Sequence, residues 1–443
     1  MVASTGTREA LQATGDNTGR SSGSFVVPLL FLSFILPVYF QLAGLQLSGY
    51  RMVLLIFFVP AMIRWFDGSG GYYAPDYLIL GFAFWTVLAI VFHHGFSRWE
   101  YNGIAFVEAT GPYFIARWLI RDEYAFRAFV RWMLIAVLLM LPFSLNQFIS
   151  NNSVLLDLFS KVGTVYPIIP LEPRLGFFRA QGPMPHPILY GVFCSVAFSL
   201  VWYVLGNDRG FTYKVSRSGG VVLATFVSLS AGAWLAIVVQ LGLMTWKNVF
   251  AFLQKKWNTL LYMLGGLYLF LEIAADRPPA QLFAAYLTFK KSTAFNRINI
   301  FVYASDDVIR NPIFGLGFNP WTRPRWMLGS VDNFWLVIAL RYGLPALIFL
   351  VAAIIVIYVI LGRAQLPSRL ENYRLGYLFS LTGFCIAAVT VHVWDATLCL
   401  LMFLLGAGLW MVNAKEESDQ PQSEVKQSGR RRIRYTRFGS EDT

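Results

Sequence analysis

Arginine carries most of the chemistry this sequence offers. Arg174 and Arg179 lie in RLGFFRAQGPMPHPILYG, residues 174–191, and Arg297 stands at the head of FNRINIFVYASDDVIRNPIFGLGFNPW, residues 295–321. A guanidinium is a planar, permanently charged fork of donors that matches phosphate oxygens. Several of them on distant segments would hold a diphosphate and stabilise it as it leaves. His186 closes the first segment, before Pro187, where a histidine could act as acid or base or hydrogen-bond a sugar; among prolines it could equally be structural. Asp332 precedes Asn333 and a long apolar run. With an ordinary pKa of about 3.9 it would be an ionised, weak base, suited to orienting a hydroxyl that loses its proton late. The same position suits an N-cap for a helix from Asn333 onward.

Other polar features speak for less. Gly315-Leu316-Gly317 follows no strand and lacks the lysine of a P-loop. Asp306 and Asp307 read as a helix-surface pair, with no second acidic cluster to complete a metal site. Cys194, Cys385 and Cys399 each lie inside an apolar run and read as small buried hydrophobes, not as a disulfide framework or zinc site. No metal and no cofactor are expected. Trp321, Trp326, Phe334 and Trp335 could stack on sugars or form an interfacial aromatic belt.

These residues must be held by elements of one kind. The 443 residues are 56% hydrophobic and 14% charged, too little charge for a soluble surface of this size. The expected fold is an all-α polytopic membrane protein of about 12 transmembrane helices. They fall at residues 25–43, 50–65, 77–93, 103–120, 129–148, 187–205, 220–229, 231–246, 257–274, 333–361, 375–391 and 396–412. The net charge of +12 then reflects cytoplasmic loops, not a nucleic-acid partner. Splitting 220–246 into two short crossings keeps the flanking Arg209, Lys214, Arg217 and Lys247, Lys255, Lys256 on one side, together with Arg117, Arg121, Arg127, Arg131, Arg363, Arg369 and Arg374. Both termini are then cytoplasmic. Residues 1–24 read as a disordered cytoplasmic tail, 25–412 as the membrane domain and 413–443 as a disordered basic cytoplasmic tail. Two long loops, about 149–186 and 275–332, fall outside. They keep Arg174, Arg179, Arg277, Arg297, Arg310, Arg323 and Arg325 on the side where basic residues are disfavoured, which an anionic ligand there would explain, as would the translocation of long loops with little regard to charge.

In these places the chain resembles the O-antigen ligase and polysaccharide polymerase family of bacterial envelope enzymes. Its Arg-x-x-Gly…His-Pro segment is matched by Arg179, Gly182, His186 and Pro187, and its loop arginine by Arg297. Its loop-closing motif is matched by Asp332-Asn333, nine residues, then Gly343-Leu344-Pro345-Ala346. EATGPYFIARWL and SLSAGAWLA are further points of likeness. Asp332 stands where the ligase branch has histidine, Ala346 replaces the last glycine, and Ala231 replaces a frequent basic residue. These departures favour the polymerase branch. The resemblance implies a metal-independent glycosyltransferase at the periplasmic face of the bacterial inner membrane, joining undecaprenyl-diphosphate-linked oligosaccharide repeats for exopolysaccharide or O-antigen. Its implied catalytic residues are Asp332, Arg297 and Arg179, with Arg174, His186, Asn333, Arg325 and Tyr190 binding substrate. Implied partners are a lipid-linked donor and acceptor, the bilayer, and the flippase and chain-length regulator of the same pathway. Ligase-type transfer to a lipid or protein acceptor is the alternative enzyme. A twelve-span transporter is the non-enzyme alternative, although no internal repeat is visible.

Overall fold

Backbone surrounded by hydrocarbon must satisfy its own hydrogen bonds, so long apolar runs become helices. The computed structural model describes residues 25–42, 44–274 and 291–414, without side chains for 291–294. The expected tails at 1–24 and 413–443 lie outside the described residues, except for 413 and 414. The chain is mostly helical, and among the described residues eight helical runs are long and apolar enough to cross a membrane. It is an all-α polytopic membrane protein in that sense. Large apolar side chains stay exposed along the spans, such as Ile56, Phe84, Phe92 and Ile348, as a lipid-facing surface requires.

The order is α1 (Val26–Phe34), β1 (Val38–Leu42), β2 (Leu45–Ser48), α2 (Gly49–Phe66), α3 (Ala74–His94), α4 (Trp99–Leu119), α5 (Glu123–Ser150), α6 (Val154–Ser160) and β3 (Thr164–Val165). There follow α7 (Pro187–Leu200), α8 (Phe211–Phe226), α9 (Ala231–Val249), α10 (Lys256–Ala274), α11 (Lys291–Arg310), α12 (Phe334–Tyr342), α13 (Leu344–Arg363), α14 (Glu371–Thr390) and α15 (Asp395–Ala407). The 46-residue apolar run Ala74–Leu119 is α3 and α4 folded back on each other. Asp76 at the start of α3 accepts from Tyr113 (2.6 Å) and Arg117 (3.1 Å) near the end of α4.

Three expectations are revised. The run at 25–43 is not one span. Pro37 stops α1, because the residue before a proline is pushed out of the helical region, and the rest forms an antiparallel β1–β2 hairpin whose outer neighbour is β3. The run at 333–361 breaks at Gly343 (φ +84°) into α12 and α13. Part of the long loop before Asp332 is the helix α11; residues 275–290 lie outside the described residues. The split between α8 and α9 does occur, through Val227–Ser230, with Leu229 in a left-handed conformation (φ 46°). Neither helix is among the eight long apolar runs.

α7 and α15 form the centre, where Phe403 of α15 is in mutual ring contact with Phe31 of α1 and Phe129 of α5. Several basic residues of the described segments gather at one end of this bundle. There Arg369 pairs with Glu123 (2.6 Å), Asn372 bonds Asn207 (2.9 Å), and Lys247 lies over the Tyr203 ring. The opposite end carries Arg174, Arg179, Arg297 and Asp332.

Candidate functional site

At that opposite end, four chain segments meet around a cavity of about 570 Å³, a volume typical of small-molecule sites. Asp332, His186, Arg323, Arg341, His392 and Trp394 line it, with the backbone turn 316–321.

Arg174 and Phe177 form a tight backbone bridge over Leu175 and Gly176, both at positive φ. The hairpin turn aims Arg174 at the α8–α9 link, where Nη1 donates to the Leu229 carbonyl (2.8 Å). Arg179 donates to the Ser228 carbonyl (3.4 Å), and Ala180 N–H to Val227 O. The carbonyls that follow a helix lack intrahelical partners and carry partial negative charge, so cations settle there. Arg297 on α11 does the same at the end of α14, donating to Thr390 O (2.9 Å). The glutamines Gln147 and Gln181 stiffen this wall. Gln147 accepts from the Gln181 and Gly182 N–H groups, and Gln181 bonds Ile169, Pro167 and Met184.

Asp332 belongs to the same electrostatic group. Burial raises its pKa, while Arg297 and Arg179 pull it down. Burial lowers the pKa of Arg179 to about 10, with Arg174 adding to the effect and Asp332 opposing it; it remains protonated at neutral pH. Arg297 is lowered by burial too, with Asp332 opposing and Arg174 reinforcing. Asp332 does not cap α12. Asn333 does, its side chain accepting from Leu336 N–H (3.1 Å), which leaves the Asp332 carboxylate to the cavity.

His186 caps α7. Its Nδ1 accepts from Ile188 N–H (3.1 Å), so the ring proton sits on Nε2 and the histidine offers the cavity a donor, not a base. Burial, then Arg179 and Arg174, hold its pKa down to about 4. Burial, then Arg341, holds His392 down to about 3. Both are neutral when folded and would protonate near 6.5 when unfolded. Stability is therefore complete above about pH 6.5 and is lost as pH falls toward the folded values, at roughly 1.4 kcal/mol per pH unit for each histidine. The melting temperature of the purified protein is expected to drop between pH 7 and pH 4.5, and His392→Gln should flatten the drop. An unchanged slope in that variant would refute the assignment.

The remaining sequence-derived candidates divide. Tyr190 is fully buried in the core, away from the cavity. Arg325 and Trp326 are solvent-exposed, and Arg323 and Trp321 take their place in the cavity wall. Asp306 is exposed, but Asp307 is buried and accepts from Thr322 N–H, so the two are not a surface pair. Gly315-Leu316-Gly317 is a clasp. Its Leu316 and Gly317 N–H groups bond the Leu340 and Arg341 carbonyls at the end of α12.

His392, Trp394 and the clasp histidines escaped notice in the sequence. His93 bonds Gly315 O (2.8 Å), and His94 accepts from Phe318 N–H (2.9 Å). The chain has four histidines, and all of them line this cavity or hold its wall. Their scarcity was the available signal. Comparison with protein-family models and with curated proteins gives no match.

Proposed function

We propose that this chain is a polysaccharide polymerase, a glycosyltransferase that joins undecaprenyl-diphosphate-linked oligosaccharide repeats at the outer face of the bacterial inner membrane. What carries the reading is that Arg179 and Arg297, from segments far apart in sequence and with Arg174 beside them, act on Asp332, which lines the cavity.

In the reaction, an acceptor hydroxyl oxygen bonds to the anomeric carbon of the donor glycan as the bond to the diphosphate breaks. The electron pair leaves with undecaprenyl diphosphate, whose growing charge Arg179 and Arg297 stabilise, each by roughly 2–4 kcal/mol in a partly dry site. Arg174 adds to the same field. The hydroxyl proton passes to Asp332, which orients the nucleophile before transfer, and His186 donates its Nε2–H to a glycan oxygen. Asn333 acts indirectly, by fixing the start of α12.

The orientation follows from the gathering of basic residues at the far end, which the positive-inside rule assigns to the cytoplasm. The site then faces the periplasm, the chain crosses twelve times with α1 as a partial first crossing, and both termini are cytoplasmic. A flippase that delivers repeats and a regulator of chain length are its working partners. Deleting the gene is expected to leave single repeats on lipid and no surface polymer, read by mass spectrometry of the lipid extract. Unchanged polymer would refute the reading.

A further inference from the structure

The arginine cluster beside Asp332 accounts for the diphosphate, yet the cavity has another charged wall. Arg341, in the last turn of α12, is half-buried, lines the cavity and has its guanidinium 6.0 Å from the Phe318 ring centre. No carboxylate among the described residues pairs with it. A partly desolvated cation without a counter-ion favours an anionic occupant. Next to it the His392 ring lines the same cavity, with its Nδ1 buried and without a hydrogen-bond partner. Trp394 lies between His392 (ring centres 5.2 Å, 26° apart) and His186 (6.1 Å). An aromatic face flanked by hydrogen-bonding rings suits a sugar, whose C–H face is apolar and whose rim is hydroxylated.

The link that carries His392 and Trp394 begins directly after Thr390, whose carbonyl accepts from Arg297, and it has further anchors of its own. Val391 O accepts from Phe334 N–H (3.0 Å), tying the 391–394 link to the start of α12. Asp395, directly after Trp394, is bonded by Arg51 (3.1 Å), which also pairs with Glu108 (2.7 Å).

We propose that Arg341, His392 and Trp394 form a subsite for an acidic sugar, so that the glycan handled here carries a carboxylate next to the reacting residue. This rests on the transfer reading above. The sugar ring lies on Trp394 beside the His392 ring, and the carboxylate takes the Arg341 fork.

The test begins with the lipid-linked oligosaccharide that accumulates in the deletion strain. It is expected to contain an acidic sugar; a wholly neutral glycan overturns the proposal. The oligosaccharide, released from lipid, is then titrated in native and carboxyl-reduced form against the full chain in nanodiscs. The native form should bind about ten-fold tighter or more, the size of one charge-assisted contact. Arg341→Gln should erase that preference, Arg341→Lys should keep part of it, and Trp394→Ala should weaken both forms alike. Equal binding of the two forms, or a preference that survives in Arg341→Gln, refutes the subsite. Undecaprenyl diphosphate is the third probe. Its binding should need Arg179 and Arg297 and ignore Arg341→Gln; weakening by Arg341→Gln would make Arg341 a diphosphate ligand and refute the subsite. If lipid diphosphate binds normally but the carboxylate preference is missing, the subsite alone fails. If no oligosaccharide accumulates and neither probe binds, the transfer reading fails with it. Melting temperature and the lysine variant separate loss of binding from loss of fold.

Discussion

Asp332→Asn is expected to lower polymer synthesis by about 100- to 10,000-fold, the usual worth of a positioned proton acceptor, without lowering thermal stability. The two halves of that expectation have one cause. Burial raises the Asp332 pKa against the pull of Arg297 and Arg179, so the ionised carboxylate is less favourable in the folded chain than in the unfolded one. At neutral pH its charge therefore costs stability, and the amide removes that cost. The variant should melt no lower than wild type at pH 7, and the difference should shrink as pH falls through the folded pKa of Asp332, where wild type becomes neutral as well. Arg297→Ala supplies the contrast. It removes a cation from the leaving group, about 100- to 1,000-fold in rate, and also frees the Thr390 carbonyl that Arg297 holds, so it should melt lower. A residue that merely held the fold would lose rate and stability together. Asp332→Asn with a clearly reduced melting temperature, or with polymer at the wild-type rate, would remove Asp332 from the chemistry.

How much of this was legible in the sequence depends on the length scale. Hydropathy located the long helices because length and apolarity alone decide that a segment leaves water. It could not separate α1 from the β1–β2 hairpin, since both are apolar, and only Pro37 marks the change. Gly343 was visible as part of a motif. That it breaks the helix depends on Ile313, thirty residues earlier, crowding the same space. Asp332 and Asn333 are near-equal cap formers, so the sequence alone misplaced the cap by one residue. The arginines Arg174, Arg179 and Arg297 were singled out by charge on the disfavoured side. The helix ends that hold them, at Val227–Leu229 and Thr390, are backbone features that no side-chain pattern announces. Tyr190 sat in a recognisable motif and is nonetheless core. His392 and Trp394 lie in a four-residue link between two spans, too short to stand out from the apolar sequence around it.

Gly343 carries the other large effect, because the geometry there tolerates no side chain. Its φ of +84° costs an L-residue roughly 1–3 kcal/mol. A Cβ at this position would also lie 1.9 Å from the Ile313 carbonyl oxygen and 2.4 Å from its carbon. These are backbone atoms, which cannot rotate aside. Relief requires moving the clasp that bonds Leu344 N–H to Pro312 O (2.7 Å), Leu316 N–H to Leu340 O (2.7 Å) and Gly317 N–H to Arg341 O (2.9 Å). Those bonds set the far wall of the cavity and the position of Arg341. Gly343→Ala is therefore expected to destabilise the protein by about 3–5 kcal/mol and to reduce polymer more than its loss of folded protein explains. Gly266→Ala is the matched control. That glycine lies on the exposed α10, where a methyl group would meet nothing within 4 Å, and the same substitution there should be neutral or stabilising by up to about 1 kcal/mol. The two variants differ in the backbone φ that the new side chain must adopt and in what its methyl group meets. Equal melting temperatures and equal polymer yields would mean that the α12–α13 break does not depend on a bare backbone at Gly343, and the account of how the cavity wall is positioned would fall with it.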